Sequence, residues 1–288
     1  ITAYGTLETA VEAFRSGATD YVLKPVVPED LLGKVARCLE HRRLMGEVRY
    51  LRREVSEVRA GARLVGTSPA MEDVRRLIAK VAAGDSTVLI RGESGTGKEL
   101  VAREIHEVGR GPDRPCVAVN CAAIPRDLFE SELFGHAKGA FTGAVRDRPG
   151  LFEVASDGTL FLDEISELPL ELQPKLLRAI EQKEVLRVGE TRTRPARARI
   201  VAATQRDLQA EVAAGRFRED LFFRVRVLEI VIPPLRERRE DIPLLVEHFV
   251  PRLNARLKRH ILGVDQAAMR ALMSAPWRGN VRELENTL

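Results

Sequence analysis

Cysteine is scarce in this sequence, and long apolar runs are missing. The 288 residues include three cysteines, Cys38, Cys116 and Cys121, and no Cys-x-x-Cys spacing. The sequence therefore excludes a disulfide framework or a cysteine zinc site and favours a reducing cytoplasm. No apolar run approaches the roughly 20 residues that span a bilayer, so we expect no membrane protein.

A strong excess of one charge sign is also missing. The 46 basic and 42 acidic residues leave a net charge of +4 and a pI near 9.1. This excess is small, and the arginines are scattered, so the charge gives little support to a nucleic-acid surface. No helix-turn-helix pattern is present either. The length predicts one large domain with one or two small ones.

Both ends of the chain have the pattern of a fragment. The sequence opens at Ile1, without an initiating Met or the basic and apolar segments of a signal peptide. Residues 281–288 still have a helical pattern, with no Gly or Pro to stop it. We therefore expect that the parent protein is longer.

The N-terminal 62 residues predict part of one domain and a linker. Apolar spacing predicts helices over 6–17 and from Pro28 to about His41, with a short strand over 21–23. Over 44–58 the apolar steps alternate between four and three, which fits a short dimerising coiled coil and also a signalling helix packed on its own domain. The run 60–62 breaks this pattern, so 1–40 is separated from the next domain by a linker over 41–62.

Beyond residue 62, helix and strand patterns alternate. Ser68-Pro69 predicts a capped helix start, and the face predicted to be buried is Met71, Val74, Leu77, Ile78 and Val81. Short apolar segments without polar alternation predict strands buried on both faces of a parallel sheet; these are 87–91, 116–119, 159–162, 199–203 and 227–231. The fold class is therefore α/β over 63–235, with helices on both sheet faces. A small all-helical lid follows over 236–288.

A glycine-rich segment follows the first of these strands and precedes a helix. It is Gly92-Glu93-Ser94-Gly95-Thr96-Gly97-Lys98-Glu99 and fits the pattern G-x-x-x-x-G-K. In such a loop backbone N–H groups face phosphate oxygens, the helix N-terminus adds positive charge, and Lys98 meets the β and γ phosphates. The segment predicts nucleotide binding. Glu99 stands where a magnesium-binding Ser or Thr is usual, which by itself puts the metal in doubt.

Polar residues end three of the predicted strands. Asp163 and Glu164 follow an apolar strand, where paired acids are rare. We expect Asp163 to hold hydrated Mg²⁺ and Glu164 to polarise the attacking water; a structural ion pair is the alternative. Asn120, Thr204 and Gln205 end other strands at the edge where ligands bind. Asn120 is predicted to hold Glu164 inactive, and Thr204 and Gln205 to sense the γ-phosphate.

Three arginines are candidates for contact with the phosphates. Arg218 and Arg224 lie six residues apart around an apolar turn, and either fits an arginine finger that reaches the nucleotide of a neighbouring subunit. A salt bridge to Glu219 or Asp220 is the alternative for Arg218. Arg282 fits a contact from the lid to the phosphates.

Residues 63–288 resemble the AAA+ domain of sigma-54-dependent transcription activators of the nitrogen regulatory protein C type. The specific segments are 130–136 (ESELFGH) and the signature loop Gly139-Ala140-Phe141-Thr142-Gly143-Ala144, which in the family contacts the sigma-54 factor. Glycines at both ends permit bending, and Phe141-Thr142 forms an exposed tip.

The resemblance implies an ATPase that uses ATP and Mg²⁺. It implies a self-assembled ring, hexameric in the family, that remodels the closed complex of sigma-54 RNA polymerase. Each site residue is implied to have the role its motif has in the family: Asp163 and Glu164 as the Walker B pair, Asn120 as the switch asparagine, Arg218 and Arg224 as fingers, Arg282 as the second sensor, and Glu99 as the usual residue of this loop.

Residues 16–25 (SGATDYVLKP), with the opening TAYGT, resemble the second half of a flavodoxin-like receiver domain. The resemblance implies Thr2 as the switch threonine, Tyr21 as the switch aromatic and Lys24 as the phosphate-contacting lysine. It also implies a sensor histidine kinase as partner. The phosphoacceptor aspartate would precede Ile1, and the family's enhancer-binding DNA domain would follow Leu288.

Three departures from the family pattern weaken only the sensor assignment: Gln205 replaces Asn or His, Arg278 replaces Pro, and Asp157 replaces Gly. Two rival functions share the nucleotide site. A protein unfoldase or helicase loader would lack the 139–144 loop. A nucleotide-binding scaffold without turnover would not need Glu164 or the finger arginines.

Overall fold

The computed structural model describes residues 2, 11–12, 18, 20, 22, 24–36, 38–39 and 64–288. The chain divides into two compact units, Ile1–Ala62 and Arg63–Leu288. None of the helices in these described ranges combines the length and the apolar character that a membrane crossing requires.

In the first unit, residues 11–12, 28–36 and 38–39 are helical, in agreement with both predicted helices. The Thr2 backbone N–H donates to the Val22 carbonyl at 2.9 Å, and the Lys24 N–H donates to the Thr2 carbonyl at 2.9 Å. Val22 itself is not in a strand. Tyr21, most of the 6–17 helix and the whole 44–58 segment lie outside the described residues.

The second unit is built from strands and helices in alternation. In chain order the strands are β1 (Val88–Arg91), β2 (Cys116–Asn120), β3 (Gly135–His136), β4 (Arg148–Pro149), β5 (Thr159–Asp163), β6 (Glu184–Leu186), β7 (Thr193–Pro195), β8 (Arg199–Thr204) and β9 (Leu228–Val231). The helices are α1 (Pro69–Ala82), α2 (Lys98–Gly109), α3 (Arg126–Phe134), α4 (Leu151–Ala155), α5 (Gln173–Gln182), α6 (Leu208–Ala213), α7 (Glu219–Val225), α8 (Ile242–Leu257), α9 (Gln266–Ser274) and α10 (Asn280–Thr287).

Five parallel strands form the central sheet, in the order β2-β5-β8-β1-β9. Because all five run the same way, their carboxyl ends meet at one edge, where Asn120 pairs with Asp163 and Arg91 pairs with Thr204. The predicted strands are confirmed to within one residue at each end. β8 is buried along its whole length, as expected for a central strand covered by helices.

Burial on both faces is wrong as a prediction for β2. Cys116, Ala118 and Asn120 are exposed, whereas Val117 and Val119 are half-buried. β2 lies at the edge of the sheet, and only the face that holds the two valines packs against the core. The exposed face carries the small residues Cys116 and Ala118 instead of charged ones, so the sequence of this strand shows no alternation of polar and apolar residues.

Helix α1 begins where Ser68 and Pro69 predict. The Ser68 hydroxyl accepts a hydrogen bond from the Met71 N–H at 3.4 Å. Of the predicted inward residues, Leu77 is wrong: it is 39% exposed, whereas Met71, Val74, Ile78 and Val81 are buried. Leu77 lies about 100° around the helix from Ile78, which takes it outside the buried stripe.

The lid, over α8 to α10, has a core of its own that includes Leu245, Phe249 and Trp277. Its position beside the sheet is fixed by Asp241, which is fully buried. The Asp241 carboxylate accepts hydrogen bonds from the Thr67 N–H at 2.7 Å, the Ser68 N–H at 2.8 Å and the Ser68 hydroxyl at 2.7 Å. The segment that starts α1 and the segment that starts the lid are therefore held together.

Candidate functional site

The glycine-rich loop over 92–97 connects β1 to α2. Gly95 and Gly97 have φ of 77° and 106°, a backbone region that favours glycine. A Cβ on Gly95 would lie 2.3 Å from the Gly279 carbonyl oxygen, so the lid backbone also requires glycine here. Because α2 begins at Lys98, the positive end of its dipole lies at the loop, as anion binding needs.

Lys98 connects the loop to the end of β5. Its side chain is buried, and Nζ donates to the Gly92 carbonyl at 3.1 Å and lies 3.5 Å from the Glu93 carbonyl oxygen. Nζ also lies 3.3 Å from Glu164 Oε1. The structure thus brings together the loop lysine and the paired carboxylates that the sequence singled out separately.

Asp163 and Glu164 have different surroundings although they are adjacent. Burial raises the pKa of Asp163 above its ordinary value, against the opposing effect of Lys98. Asp163 Oδ1 accepts a hydrogen bond from the Glu164 N–H at 3.0 Å. Glu164 has φ of 51° and ψ of 52°, which is uncommon for a residue other than glycine, and such strained positions cluster at functional sites.

The donor set fits Mg²⁺ better than a metal held only by protein ligands. In the described part of the chain, no group of three or more His, Cys, Asp or Glu side chains is assembled. Mg²⁺ usually keeps several waters and takes one or two carboxylates together with the phosphates of a substrate. Asp163 with Glu164 beside it meets that requirement. A zinc site would need three or four protein ligands, more than these two carboxylates provide.

Asn120 lies at the end of β2, in register with Asp163. Its Oδ1 accepts a hydrogen bond from the Ala122 N–H at 2.8 Å and so caps the short 3₁₀ turn that follows. The expected hold on Glu164 is made in this structure by Lys98 instead. Local geometry explains the difference, because an Asn at a strand end readily bonds to the backbone two residues on.

The predicted sensors Thr204 and Gln205 contact different partners. Thr204 is fully buried; its hydroxyl accepts from the Arg206 N–H at 3.0 Å and donates to Ser166 Oγ at 3.2 Å. The Gln205 backbone N–H donates to Glu164 Oε2 at 3.3 Å. The strand end therefore touches the candidate catalytic acid through the main chain of Gln205, and the Thr204 side chain faces inward.

The two candidate finger arginines are exposed; Arg218 immediately precedes α7 and Arg224 lies within it. Arg218 makes the salt bridge that was its alternative assignment, with 2.7 Å between Nη2 and Asp220 Oδ2. Its backbone N–H donates to Gln173 Oε1 at 2.7 Å. Arg224 is exposed and lies close enough to Lys183 to add to the effect of burial, which lowers the pKa of that lysine.

Arg282 reaches the glycine-rich loop from the lid; its predicted contact with the phosphates stays a prediction. Its Nη1 donates to Ser94 Oγ at 3.1 Å. The first turn of α10 is held at the same place, since the Val281 N–H donates to the Gly95 carbonyl at 3.0 Å. The lid arginine is thus positioned at the rim of the candidate nucleotide site.

Sequence reasoning did not identify the residues that surround Glu93. Its carboxylate accepts from both terminal nitrogens of Arg236, at 2.7 and 2.8 Å, and from Asn280 Nδ2 at 3.1 Å. The Arg236 and Asn280 hydrogen bonds lower the pKa of Glu93 to about 2. These partners lie 143 and 187 residues away along the chain, and no local pattern connects them.

The 139–144 loop lies between β3 and β4. The Gly139 N–H donates to the Ala144 carbonyl at 2.8 Å, which closes the base of the loop. Phe141 is 40% exposed and packs edge-on against His136, with 5.0 Å between ring centroids. His136 is fixed in turn by a 2.6 Å hydrogen bond between its Nδ1 and Ser131 Oγ. The aromatic tip is therefore exposed but supported.

Comparison with known proteins gives the same assignment. Residues 64–231 match the sigma-54 interaction domain, and residues 236–288 match the AAA+ ATPase lid domain. Regulatory protein AtoC of Escherichia coli (strain K12) is 50% identical over 288 residues, which is 100% of this chain and 62% of that protein. Response regulator protein PilR of Pseudomonas aeruginosa (strain PAO1) is also 50% identical, over 100% of this chain and 63% of that protein.

Among solved structures, NtrX from Brucella abortus in complex with ATP matches with a TM-score of 0.73 and 40% identity, covering 99% of this chain and 64% of that one. The chain thus spans less than two thirds of the length of these relatives. The predicted α/β AAA+ fold with a helical lid is confirmed. Because the sigma-54 interaction domain covers more than half of the chain, this protein belongs to the AAA+ family of sigma-54-dependent transcriptional regulators.

Proposed function

We propose that this chain is the ATP-hydrolysing part of a response regulator that remodels the closed complex of sigma-54 RNA polymerase with promoter DNA. The observation that carries the proposal is the 3.3 Å approach of Lys98 Nζ to Glu164 Oε1, beside Asp163 and within one site that Arg282 reaches from the lid. A loop lysine, two carboxylates and a second cation are what phosphoryl transfer uses for positioning and charge compensation.

Hydrolysis in this proposal begins with exchange of partners at Lys98. The ammonium leaves the Gly92 carbonyl and Glu164 for the β and γ phosphates, and this frees the Glu164 carboxylate. Glu164 then accepts a proton from water as the water oxygen bonds to the γ phosphorus and the bond to the bridging oxygen of ADP breaks. Asp163 would hold hydrated Mg²⁺, and the ion when bound would supply positive charge to the phosphate oxygens.

Thr204 and Gln205 are proposed to sense the state of the γ-phosphate. The contact between the Gln205 N–H and Glu164 Oε2 supports this role, because a change in the Glu164 side chain must change that contact. Asn120 is proposed as the switch that holds Glu164 inactive until the right contact is made. Its position opposite Asp163 on the neighbouring strand supports that assignment.

Arg218 and Arg224 are proposed to complete the nucleotide site of a neighbouring copy in a ring, hexameric as in the family. Their exposed positions, just before α7 and within it, support this, since an arginine finger must reach outside its own subunit. Arg218 would exchange Asp220 for a phosphate oxygen. On moving to a phosphate, Arg224 would break no comparable salt bridge to a described residue, and its neighbour Lys183 repels it.

The remaining partners follow from the family. Residues 139–144 are proposed to contact sigma-54, with Phe141 and Thr142 at the tip. Residues 1–40 are proposed as part of a receiver that a sensor histidine kinase phosphorylates, with Thr2, Tyr21 and Lys24 as switch residues, and PilR is named a response regulator. Residues 41–62 are proposed as the linker, and enhancer DNA is assigned to a domain outside residues 1–288.

The test separates hydrolysis from remodelling. Wild type and Thr142→Ala are incubated with ATP, sigma-54 holoenzyme and promoter DNA, and both phosphate release and open complexes are measured. We expect Thr142→Ala to hydrolyse ATP at close to the wild-type rate, because Thr142 is exposed and is not among the proposed nucleotide ligands. It should form almost no open complexes, because it lies at the tip proposed to contact sigma-54. Equal open-complex formation by the two proteins would contradict the sigma-54 assignment.

A further inference from the structure

A small group of polar side chains fastens the lid to the glycine-rich loop, and the hydrolysis described above does not use it. The group is Glu93, Arg236 and Asn280, named here the latch. We propose that the latch couples the conformation of the loop to the position of the lid, with Glu93 as a lid anchor and Asn280 as a positioning residue. The proposal rests on nucleotide binding at this loop, which is part of the proposed function.

Glu93 and Arg236 face each other with matched geometry. Arg236 Nη2 lies 2.7 Å from Oε1, and Nη1 lies 2.8 Å from Oε2. Such two-pronged pairs fix orientation as well as distance. Both side chains are about two fifths exposed, at 41% and 43%, so water screens their attraction and the pair adds little to overall stability. The pair acts mainly on orientation, because it holds the Glu93 carboxylate toward the lid.

Asn280 bonds to both sides of the boundary between loop and lid. It is fully buried, and its Nδ2 donates to Glu93 Oε2 at 3.1 Å and to the Ser94 carbonyl at 3.0 Å. Its Oδ1 accepts from the Leu235 N–H at 2.8 Å, at the start of the connection to the lid. The side-chain amide of Asn280 thus bonds both to the glycine-rich loop and to the start of the connection to the lid. Its φ of 55° is a conformation that Asn tolerates better than most residues.

The latch also determines the position of Arg282. With Asn280 in place, the Val281 and Arg282 N–H groups donate to the Gly95 carbonyl at 3.0 and 3.4 Å. Any ligand that reshapes the loop around Gly95 must therefore move the first turn of α10, and with it the arginine that reaches the phosphates. By the same linkage, an unlatched lid lowers the affinity of the loop for its ligand.

The test uses the full chain and two readouts that need neither hydrolysis nor sigma-54. ADP affinity is measured by equilibrium titration, and amide hydrogen exchange is followed at Val281 and Arg282. The variants are Glu93→Gln, Asn280→Asp and the control Glu237→Gln, whose carboxylate lies 3.9 Å from Arg236 and is 62% exposed. Protection of the β5 and β8 amides shows that each variant is folded.

We expect Glu93→Gln and Asn280→Asp to raise the Kd for ADP by about 5-fold or more, the lower end of coupling between sites, and to speed exchange at Val281 and Arg282. Glu237→Gln should change neither. In an Arg236→Gln background, Glu93→Gln should add little. Weaker ADP binding with unchanged exchange would make Glu93 a direct ligand and overturn the latch, and wild-type values in both readouts would overturn it too. If the chain bound ADP but did not hydrolyse ATP, the proposed function would fail, whereas the two measurements on the latch would keep their meaning.

Discussion

Lys98 Nζ lies 3.3 Å from Glu164 Oε1, so the proposed phosphate-binding cation and the proposed catalytic acid are paired with each other. Lys98 is buried and Glu164 is half-buried, and without each other these two charges would lack a counter-ion, which is costly away from water. A triphosphate offers the lysine a better partner and leaves the acid free for water. Charge balance can thus couple activation of the acid to binding of the nucleotide.

Replacing the acid tests this arrangement. Glu164→Gln should still bind ATP, because the amide keeps the shape of the side chain and Lys98 remains. Hydrolysis should fall by about 10² to 10⁴-fold, the usual contribution of a general base. Nucleotide titration and phosphate release measure the two effects. Glu167→Gln is the control: Glu167 follows on the same turn but pairs with Arg206, and it should hydrolyse normally. Near-normal turnover by Glu164→Gln would reject the role of this residue.

The glycine positions in the loop give a second prediction. Gly95→Ala forces an alanine to φ of 77°, at a cost of roughly 1 to 2 kcal/mol, and places its Cβ 2.3 Å from the Gly279 carbonyl. We expect ATP affinity to fall about 10-fold or more, since loop and lid must separate. Gly84→Ala is the control, as nothing lies within 4 Å of its Cβ position. Equal affinities for the two variants would mean that the lid does not close on the loop.

The strands, and the place of the glycine-rich loop between a strand and a helix, could be predicted from the sequence because their signals are local. Four or five apolar residues in a row mark a buried strand, and Gly92 to Lys98 carries its glycines at fixed spacing. The edge position of β2 could not be predicted, because burial of one face depends on what packs there. The partners of Glu93 could not be predicted either, since only the fold brings Arg236 and Asn280 to it. For Arg218 the sequence offered two adjacent acids, Glu219 and Asp220, and could not tell which of them forms the salt bridge.

The lowered pKa of Glu93 predicts a pH dependence of stability. The folded pKa is about 2 against an ordinary 4.5, so the ionised carboxylate contributes stability that is fully present above about pH 4.5. That contribution is lost as the pH falls toward about 2. The gap in unfolding free energy between wild type and Glu93→Gln should be small, about 1 kcal/mol or less for an exposed pair.

Urea unfolding of both proteins at several pH values checks this expectation. The gap should stay constant from about pH 7 to about pH 5 and narrow below about pH 4.5, where the unfolded carboxylate begins to protonate. Arg236 keeps its charge throughout this range, and Asn280 does not titrate. A gap that already narrows near pH 6 would show that the pairing with Arg236 does not govern this carboxylate.

The finger arginines give a prediction about subunits that share sites. Arg224→Ala alone and Glu164→Gln alone should each be nearly inactive, because in the proposed head-to-tail ring each site would use the acid of one copy and the arginine of the next. In an equal mixture of the two, an intact site needs an Arg224→Ala subunit to supply Glu164 and a Glu164→Gln neighbour to supply Arg224. Random assembly forms such a pair at about a quarter of the interfaces, so the mixture should recover about a quarter of wild-type turnover. If Arg224 acted on the nucleotide of its own subunit, mixing would recover nothing, and phosphate release across a range of mixing ratios distinguishes the two cases.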